Sequence, residues 1–402
     1  VRLLKAKSGL PILFRPMGSG LVDIRYYIQC GAMDEARPKD EGLCHALEHM
    51  LYAGTKNRDW MEMNRALERL GSWFNAYTWH DRTIYQVTCL KRNWKEAYEV
   101  LADMMYNPTF PEERWEDVEK GAVISEIQGN EDDADFLLVE GLYEDALGSK
   151  YHPIVGNIDN IRQASMPDLK SFYDRYYCGS NMLLTITGDL TETQVLRSVN
   201  KLDRLRAQRP PKRKKFTFKF NYKPISIEKQ ELEQSCIELL KPLTIPRTIK
   251  GQVALGVATS CLTQYLFEEL RERRGLCYGA KADLYWDIPD NLFLTIETAT
   301  DDERFDKTKK ALRTALRNFM KDGLTTERIR NNKMTEIYST VNNMEQIEES
   351  SEWLWDGWQE GIKEDPFKYQ LKVLETLSPS TVRRAAAQAF NGRAKFGKIT
   401  EK

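Results

Sequence analysis

Two stretches of this chain, 210 positions apart, close in the same way. PEERWEDVEKGAVISEI ends in Ser125-Glu126-Ile127, and TTERIRNNKMTEI ends in Thr335-Glu336-Ile337. Each follows a strand-like alternation (Thr83 to Val87, Leu292 to Glu297) and an amphipathic helical pattern (Trp94 to Tyr106, Phe305 to Lys321). Each precedes a helix opened by serine and proline, SMPDLKSFYDRYY and SPSTVRRAAAQAF. An order of elements that recurs at about half of the 402 residues points to duplication, with each half burying its own core. The alternating runs VDIRYYIQ, TIYQVTCL, MLLTITG and LFLTIET place sheet strands in both halves, and the helical patterns pack on them. The expected fold class is therefore α+β, in two homologous domains.

The boundary falls near the middle. Asp203 to Lys215, DRLRAQRPPKRKK, carries two prolines and seven basic residues, a composition that reads as a solvated linker. The expected division is residues 1–203, a linker over 204–215, and residues 216–402. A formal charge of −1 argues against a general nucleic-acid binder, and no run approaches the roughly 20 apolar residues of a membrane span. The opening VRLLKAKSGLPILFR lacks a secretory apolar region and reads as the start of a first strand. Seven scattered cysteines without Cys-x-x-Cys pairs suit reduced thiols in a cytoplasm-like compartment, or an organellar matrix if a segment upstream of Val1 has been removed.

The chemistry concentrates in DEGLCHALEHMLYAGT, residues 40 to 55. Leu43, Leu47, Met50 and Leu51 recur at helical spacing, with Asp40 as the expected cap and Gly54 as the expected stop. His45 and His49, four residues apart, emerge on one face of that helix, where two imidazole nitrogens can share a zinc ion. Glu48 stands beside them and can accept a proton from water activated at that ion. A catalytic zinc needs a third protein ligand, and with His80 and His152 the other imidazoles, a carboxylate is the better supplier. Pro111 to Gly129-Asn130 reads as a helix with Trp115, Val118 and Ala122 on its apolar stripe. Glu119 and Glu126, two helical turns apart, point the same way on the adjacent face.

GLCHALEHMLYAGT resembles the signature helix of the inverted-motif (H-x-x-E-H) zinc peptidases, the family of pitrilysin, insulin-degrading enzyme and mitochondrial processing peptidase. The likeness covers nearly the whole chain and fits the short, half-length members. It implies a processing-peptidase-like metallohydrolase fold, in which each domain is a mainly antiparallel sheet packed with helices. It implies one Zn2+ per chain on His45, His49 and Glu126, with Glu48 as general base and Glu119 orienting the site. LGSWFNAYTWHDRTIYQV resembles the family's substrate-binding edge strand, with Asn75, Ala76, Tyr77 and Thr78 at its Asn-Ala-x-Thr element. LFEELRERRGLCYG resembles the helix whose arginine and tyrosine, here Arg271 and Tyr278, grip substrate carbonyls and support the oxyanion. Ahead of it LGVATSCLTQYLF replaces the glycine-rich turn often found in the family.

Two readings follow from the resemblance. One is a zinc metalloendopeptidase that hydrolyses extended peptides or small unfolded polypeptides. As a half-length chain it would work as a homodimer, or as a heterodimer with a related subunit. The other is a catalytically silent partner or scaffold subunit, a role in which relatives typically lose the motif that is present here. His80, His152 and the tryptophan cluster Trp353, Trp355 and Trp358 read as structural.

Overall fold

The computed structural model describes the 402-residue chain apart from residues 36, 207, 214, 244–248 and 287. Two positions of the expected linker, Ala207 and Lys214, thus lie outside the described residues.

Eleven strands form two sheets among the described residues. The first contains β1 (Arg2–Lys5), β2 (Pro11–Pro16), β3 (Leu21–Ile28), β4 (Trp73–Thr78), β5 (Thr83–Leu90) and β6 (Met182–Gly188), in the order β1-β2-β6-β3-β5-β4. The second contains β7 (Ile225–Lys229), β8 (Ser235–Leu243), β9 (Ala280–Tyr285), β10 (Leu292–Thr300) and β11 (Lys395–Glu401), in the order β7-β11-β8-β10-β9. β2 pairs parallel with β6, β7 pairs parallel with β11, and every other pairing is antiparallel. Each strand of the second sheet therefore has a counterpart of the same rank and direction in the first. The duplication is real, and both domains are mainly antiparallel α+β. The first sheet adds β1, because the opening segment is a hairpin of two strands turning at Ser8-Gly9, where the single first strand was expected.

The compact units do not follow the chain contiguously. The first comprises Val1–Gln128, His152–Lys214 and Asn342–Pro366; the second comprises Gly129–Tyr151, Lys215–Val341 and Phe367–Lys402. These units depart from a division at 1–203 and 216–402 because each sheet buries one face under a helix from the other half of the sequence. In the first unit the helix Ile347–Gln359 covers the side of β3 that bears Arg25 and Tyr27. Trp355 stacks on Tyr27 at 4.7 Å, the Arg25 guanidinium donates to the Glu348 carbonyl at 2.7 Å, and the Ser351 hydroxyl donates to Thr187 at 2.9 Å. Trp355 is thus a packing residue. The opposite face, with Val22, Ile24 and Tyr26, carries the main core. In the second unit the helix Ala134–Leu147 lays Leu138 and Leu142 on Leu240, Phe293 and Ile399. A side chain at Gly397 would meet Leu142 at 2.8 Å, so the close approach requires glycine there. The helices Ile249–Phe267 and Pro379–Phe390 pack together in the same unit, where Leu255, Leu292 and Ala389 form a smaller core.

The basic segment is less free than its composition suggests. Arg206 donates to the carbonyls of Tyr173 and Tyr177 at 3.2 and 2.9 Å. Arg213 makes a two-pronged ion pair with Asp34 and donates to the Asp81 carbonyl at 2.6 Å. No helix among the described residues is long and apolar enough to cross a membrane.

Candidate metal centre

The helix Leu43–Leu51 is fixed at its start from a distance. Gly42 adopts φ 90°, and the buried Glu35 carboxylate accepts the N–H groups of Gly42 and Cys44 at 2.9 and 2.8 Å. Asp40 does not cap the helix. It sits in the 3-10 turn Pro38–Asp40, and Arg37 occupies both its oxygens at 2.8 and 2.7 Å. The helix ends at Leu51, short of Gly54. Cys44 turns away from the imidazoles toward Thr83 and the Cys30 carbonyl.

The second helix begins as a turn over Glu112–Arg114, widens into a π-helical turn over Trp115–Glu119 and continues as Lys120–Asp132, slightly past the expected stop at Asn130. Trp115 anchors it, fully buried, with its indole N–H on the Ala164 carbonyl at 3.0 Å. From there Glu126 meets both imidazoles: its Oε2 lies 3.5 Å from His45 Nε2 and 3.5 Å from His49 Nε2. The two rings stand edge to face with centroids 4.8 Å apart. Ligating atoms of the three residues all fall within 4.8 Å of one another, the one such cluster among the described residues. Two ligands that each lie about 2.0–2.1 Å from a tetrahedral ion are about 3.3 Å apart. The 3.5 Å separations therefore suit a shared zinc-sized cation better than direct hydrogen bonds, which close to about 2.7–3.2 Å. Two imidazole nitrogens and one carboxylate are a donor set that fits zinc. His80 and His152 lie outside the cluster.

The other nitrogen of His49, Nδ1, faces Glu119 Oε2 at 3.6 Å, and Arg114 holds Glu119 Oε1 at 2.9 and 2.7 Å. Burial disfavours the His49 imidazolium, but the adjacent carboxylates of Glu119 and Glu126 outweigh it and lift its pKa to about 9. The adjacent imidazoles of His45 and His49 hold Glu126 well below the ordinary carboxylate range. Glu119, although partly desolvated, is held low by His49 and Arg114. Glu48 behaves oppositely. Burial raises its carboxyl above the usual value, with His45 and a 2.5 Å hydrogen bond from Thr78 pulling it back. Two acids with opposed environments beside one cation-binding cluster are the arrangement that separates a ligand from a proton acceptor.

Asn75 and Ala76 lie on β4, the outermost strand of the first sheet, hydrogen-bonded on one side to β5. In the second unit Arg271 sits in the π-helical turn Glu268–Glu272, its guanidinium 4.6 Å from the Tyr278 ring centroid and 5.0 Å from that of Phe267. Tyr278 is 81% exposed. The sequence reading missed Arg114 and the bond from Thr78 to Glu48. Arg114 was findable, one helical turn before Glu119 on the same helix; the Thr78 contact joins a helix to a strand and left no local signal.

A helix bearing His-x-x-Glu-His, met by a glutamate from a second helix, has the pattern of an inverted-motif zinc peptidase and could hold a metal ion. Comparison with known proteins agrees. The model Insulinase (Peptidase family M16) matches residues 19–153, which hold the whole cluster, and Peptidase M16 inactive domain matches residues 163–335. The chain belongs to the M16 peptidase family. It is 27% identical over 330 residues to an uncharacterized zinc protease of Rickettsia felis, covering 78% of this chain and 76% of that one. It is 29% identical over 200 residues to the human mitochondrial-processing peptidase subunit beta, covering 48% of this chain and 40% of the subunit. The fold matches a peptidase M16 inactive domain from Pseudomonas fluorescens (TM-score 0.90, 18% identity, 100% of this chain and 98% of that one). It also matches a protease from Helicobacter pylori (TM-score 0.89, 19% identity, 99% of each chain).

Proposed function

We propose that the chain is an active zinc metalloendopeptidase cleaving extended peptides or small unfolded polypeptides. The observation that carries this reading is the convergence of His45, His49 and Glu126 beside a proton-accepting Glu48. His45, His49 and Glu126 would hold a zinc ion, which would supply Lewis acidity toward the scissile carbonyl and the attacking water. Glu48 takes the proton from the attacking water and returns it to the leaving amine nitrogen, while Thr78 keeps its carboxylate aimed. Arg114 and Glu119 fix the ring of His49. β4 offers unpaired backbone groups near Asn75 and Ala76 to which a substrate strand can add. Arg271 and Tyr278 grip substrate carbonyls, and Tyr278 assists the oxyanion. Because one chain carries both the metal motif and this pair, a homodimer is the simplest assembly, with a heterodimer of related subunits as the variant. Seven unpaired cysteines suit a reducing, cytoplasm-like compartment.

Incubating the zinc-loaded protein with a mixed peptide library, with cleavage products read by mass spectrometry, tests this. Glu48→Gln should abolish cleavage while zinc stays bound. Unchanged turnover in that variant would remove Glu48 from the mechanism. A zinc-loaded wild type that cleaves nothing in the library would favour the silent-subunit reading.

A further inference from the structure

The second unit holds a cleft of about 350 Å³ between the helix Ala134–Leu147 and the strands β8, β9 and β10. Its walls include the aliphatic side chains of Leu138, Val139 and Ala280, and Tyr278 stands in its lining. Its polar lining holds three acids, Asp135, Glu238 and Glu297, beside Lys281, Gln234 and Thr298. Glu238 and Glu297 are direct cross-strand partners on β8 and β10, so their side chains leave the same face of the sheet side by side. Glu238 is 5% exposed, and the groups that act on its carboxyl are burial and acidic neighbours, with no donor or cation among them. Its charged neighbours are Glu297, Asp135 and Asp283, all of its own sign. Lys281 also lines the cleft; its ammonium is engaged by Asp283 at 2.7 Å, and as the cross-strand partner of Glu297 it partly offsets that carboxylate, leaving Glu238 without a cation.

A buried carboxyl facing like charges across open space is costly, and burial followed by those neighbours pushes Glu238 well above the ordinary carboxylate pKa. Residues of this kind in a cleft mark a place completed by a ligand. The ligand is cationic. It is not a metal coordinated by three of these groups, because the one cluster of that compactness among the described residues is the His45–His49–Glu126 set. A larger organic cation on a slender apolar stem matches both the spread of the carboxyls and the aliphatic walls. We infer that this cleft is a subsite for a basic side chain, arginine or lysine, of a bound peptide, with Glu238 and Glu297 receiving the head group and Leu138, Val139 and Ala280 sheathing its methylenes. The inference rests on the peptidase reading for the nature of the ligand. Tyr278 ties the two together, belonging both to the substrate-gripping pair and to the cleft.

The test uses the full-length Glu48→Gln protein loaded with zinc, so that binding is read without turnover. The probes are neutral ten-residue peptides with one arginine walked along the sequence, and the same series with citrulline, which keeps the shape and loses the charge. At one position arginine should bind at least about tenfold more tightly than citrulline. Adding Glu238→Gln should bring that ratio to within about twofold, and Glu297→Gln, a milder change at a partly exposed site, should reduce it in the same direction. Equal binding of the two series at every position, or a preference that survives both substitutions, overturns the subsite. The two readings separate cleanly. Wild-type cleavage without an arginine preference removes the subsite alone, and a Glu238-dependent preference in a protein that never cleaves removes the peptidase alone.

Discussion

The same pair of helices occurs in both units, and its fate differs. In the first unit, Glu126 on the later helix meets His45 and His49 on the earlier one. In the second, Glu336 stands 210 positions after Glu126 on the helix Thr326–Glu345, and faces Ser260 of the helix Ile249–Phe267. Ser260 donates to Glu336 at 2.6 Å, and one turn further along Asn332 donates to Gln264 at 2.8 Å. The carboxylate is at the corresponding place, but a serine hydroxyl donates to it directly, whereas the imidazoles of the first unit stand too far off for good hydrogen bonds. A metal site differs here from a structural contact by what the carboxylate lacks. The surroundings follow suit, since the first unit adds Arg114, Glu119 and Thr78 to hold His49 and Glu48 in place.

The comparison breaks most sharply at its two carboxylates. Glu126→Ala should remove stoichiometric zinc and with it activity, an effect larger than the about 10–100-fold loss typical of a group that orients a ligand. Glu336→Ala should leave zinc content and turnover at wild-type levels. Metal analysis after gel filtration, paired with peptide cleavage, checks both, and zinc loss in the Glu336 variant would undo the distinction. Arg114→Ala comes next. It frees Glu119 and hence the ring of His49, and should weaken zinc binding by about 10–100-fold in a chelator competition while the circular dichroism spectrum is unchanged.

How far the sequence foretold this depends on the range of each interaction. Strands such as β3 and β5 were legible because side-chain alternation is local, and His45, Glu48 and His49 because four residues of helix place them together. Glu119 and Glu126 were equally good candidates by periodicity, and the family resemblance chose between them; the structure brings Glu126 to both imidazoles and Glu119 to the far side of one. What could not be read is long-range. The Glu35 cap replaces Asp40 from seven residues before Gly42, and depends on burial that no local pattern announces. The packing of the helices Ala134–Leu147 and Ile347–Gln359 on a sheet built from the other half of the sequence depends on which apolar face fits where. Their hydrophobic patterns alone are silent on that.

Buried acids sharpen the contrast. Glu140, on the helix Ala134–Leu147, is raised to about 7 by burial, with Tyr151 donating to it at 3.0 and 3.1 Å. A carboxyl whose folded pKa exceeds its unfolded value of about 4.3 binds its proton more tightly in the native state, so stability falls as pH rises between those values and stays reduced above 7. Glu140→Gln keeps an acceptor for Tyr151 and should therefore stabilise the protein by about 2–3 kcal/mol at pH 8 and by nearly nothing at pH 4. Urea denaturation at the two pH values measures this. Peptide turnover per folded molecule should not change, in contrast to Glu48→Gln, which removes the proposed base.

The smallest expected effect bears most directly on the Ser260–Glu336 pair. If that contact is merely a satisfied structural bond, Ser260→Ala removes one hydrogen bond to a charged group. Glu336 then turns to water or to a neighbouring donor, and the loss is about 1–2 kcal/mol in urea denaturation, with zinc stoichiometry still one per chain. If the second helix pair instead retains a cation site, deleting the competing hydroxyl would free Glu336 and raise metal uptake above one per chain. A hydroxyl and two amides cannot supply that uptake, because zinc takes imidazole, thiolate or carboxylate donors and a single carboxylate does not hold it. Stoichiometry, more than stability, is therefore the quantity that decides whether the two halves diverged in ligand chemistry or only in occupancy.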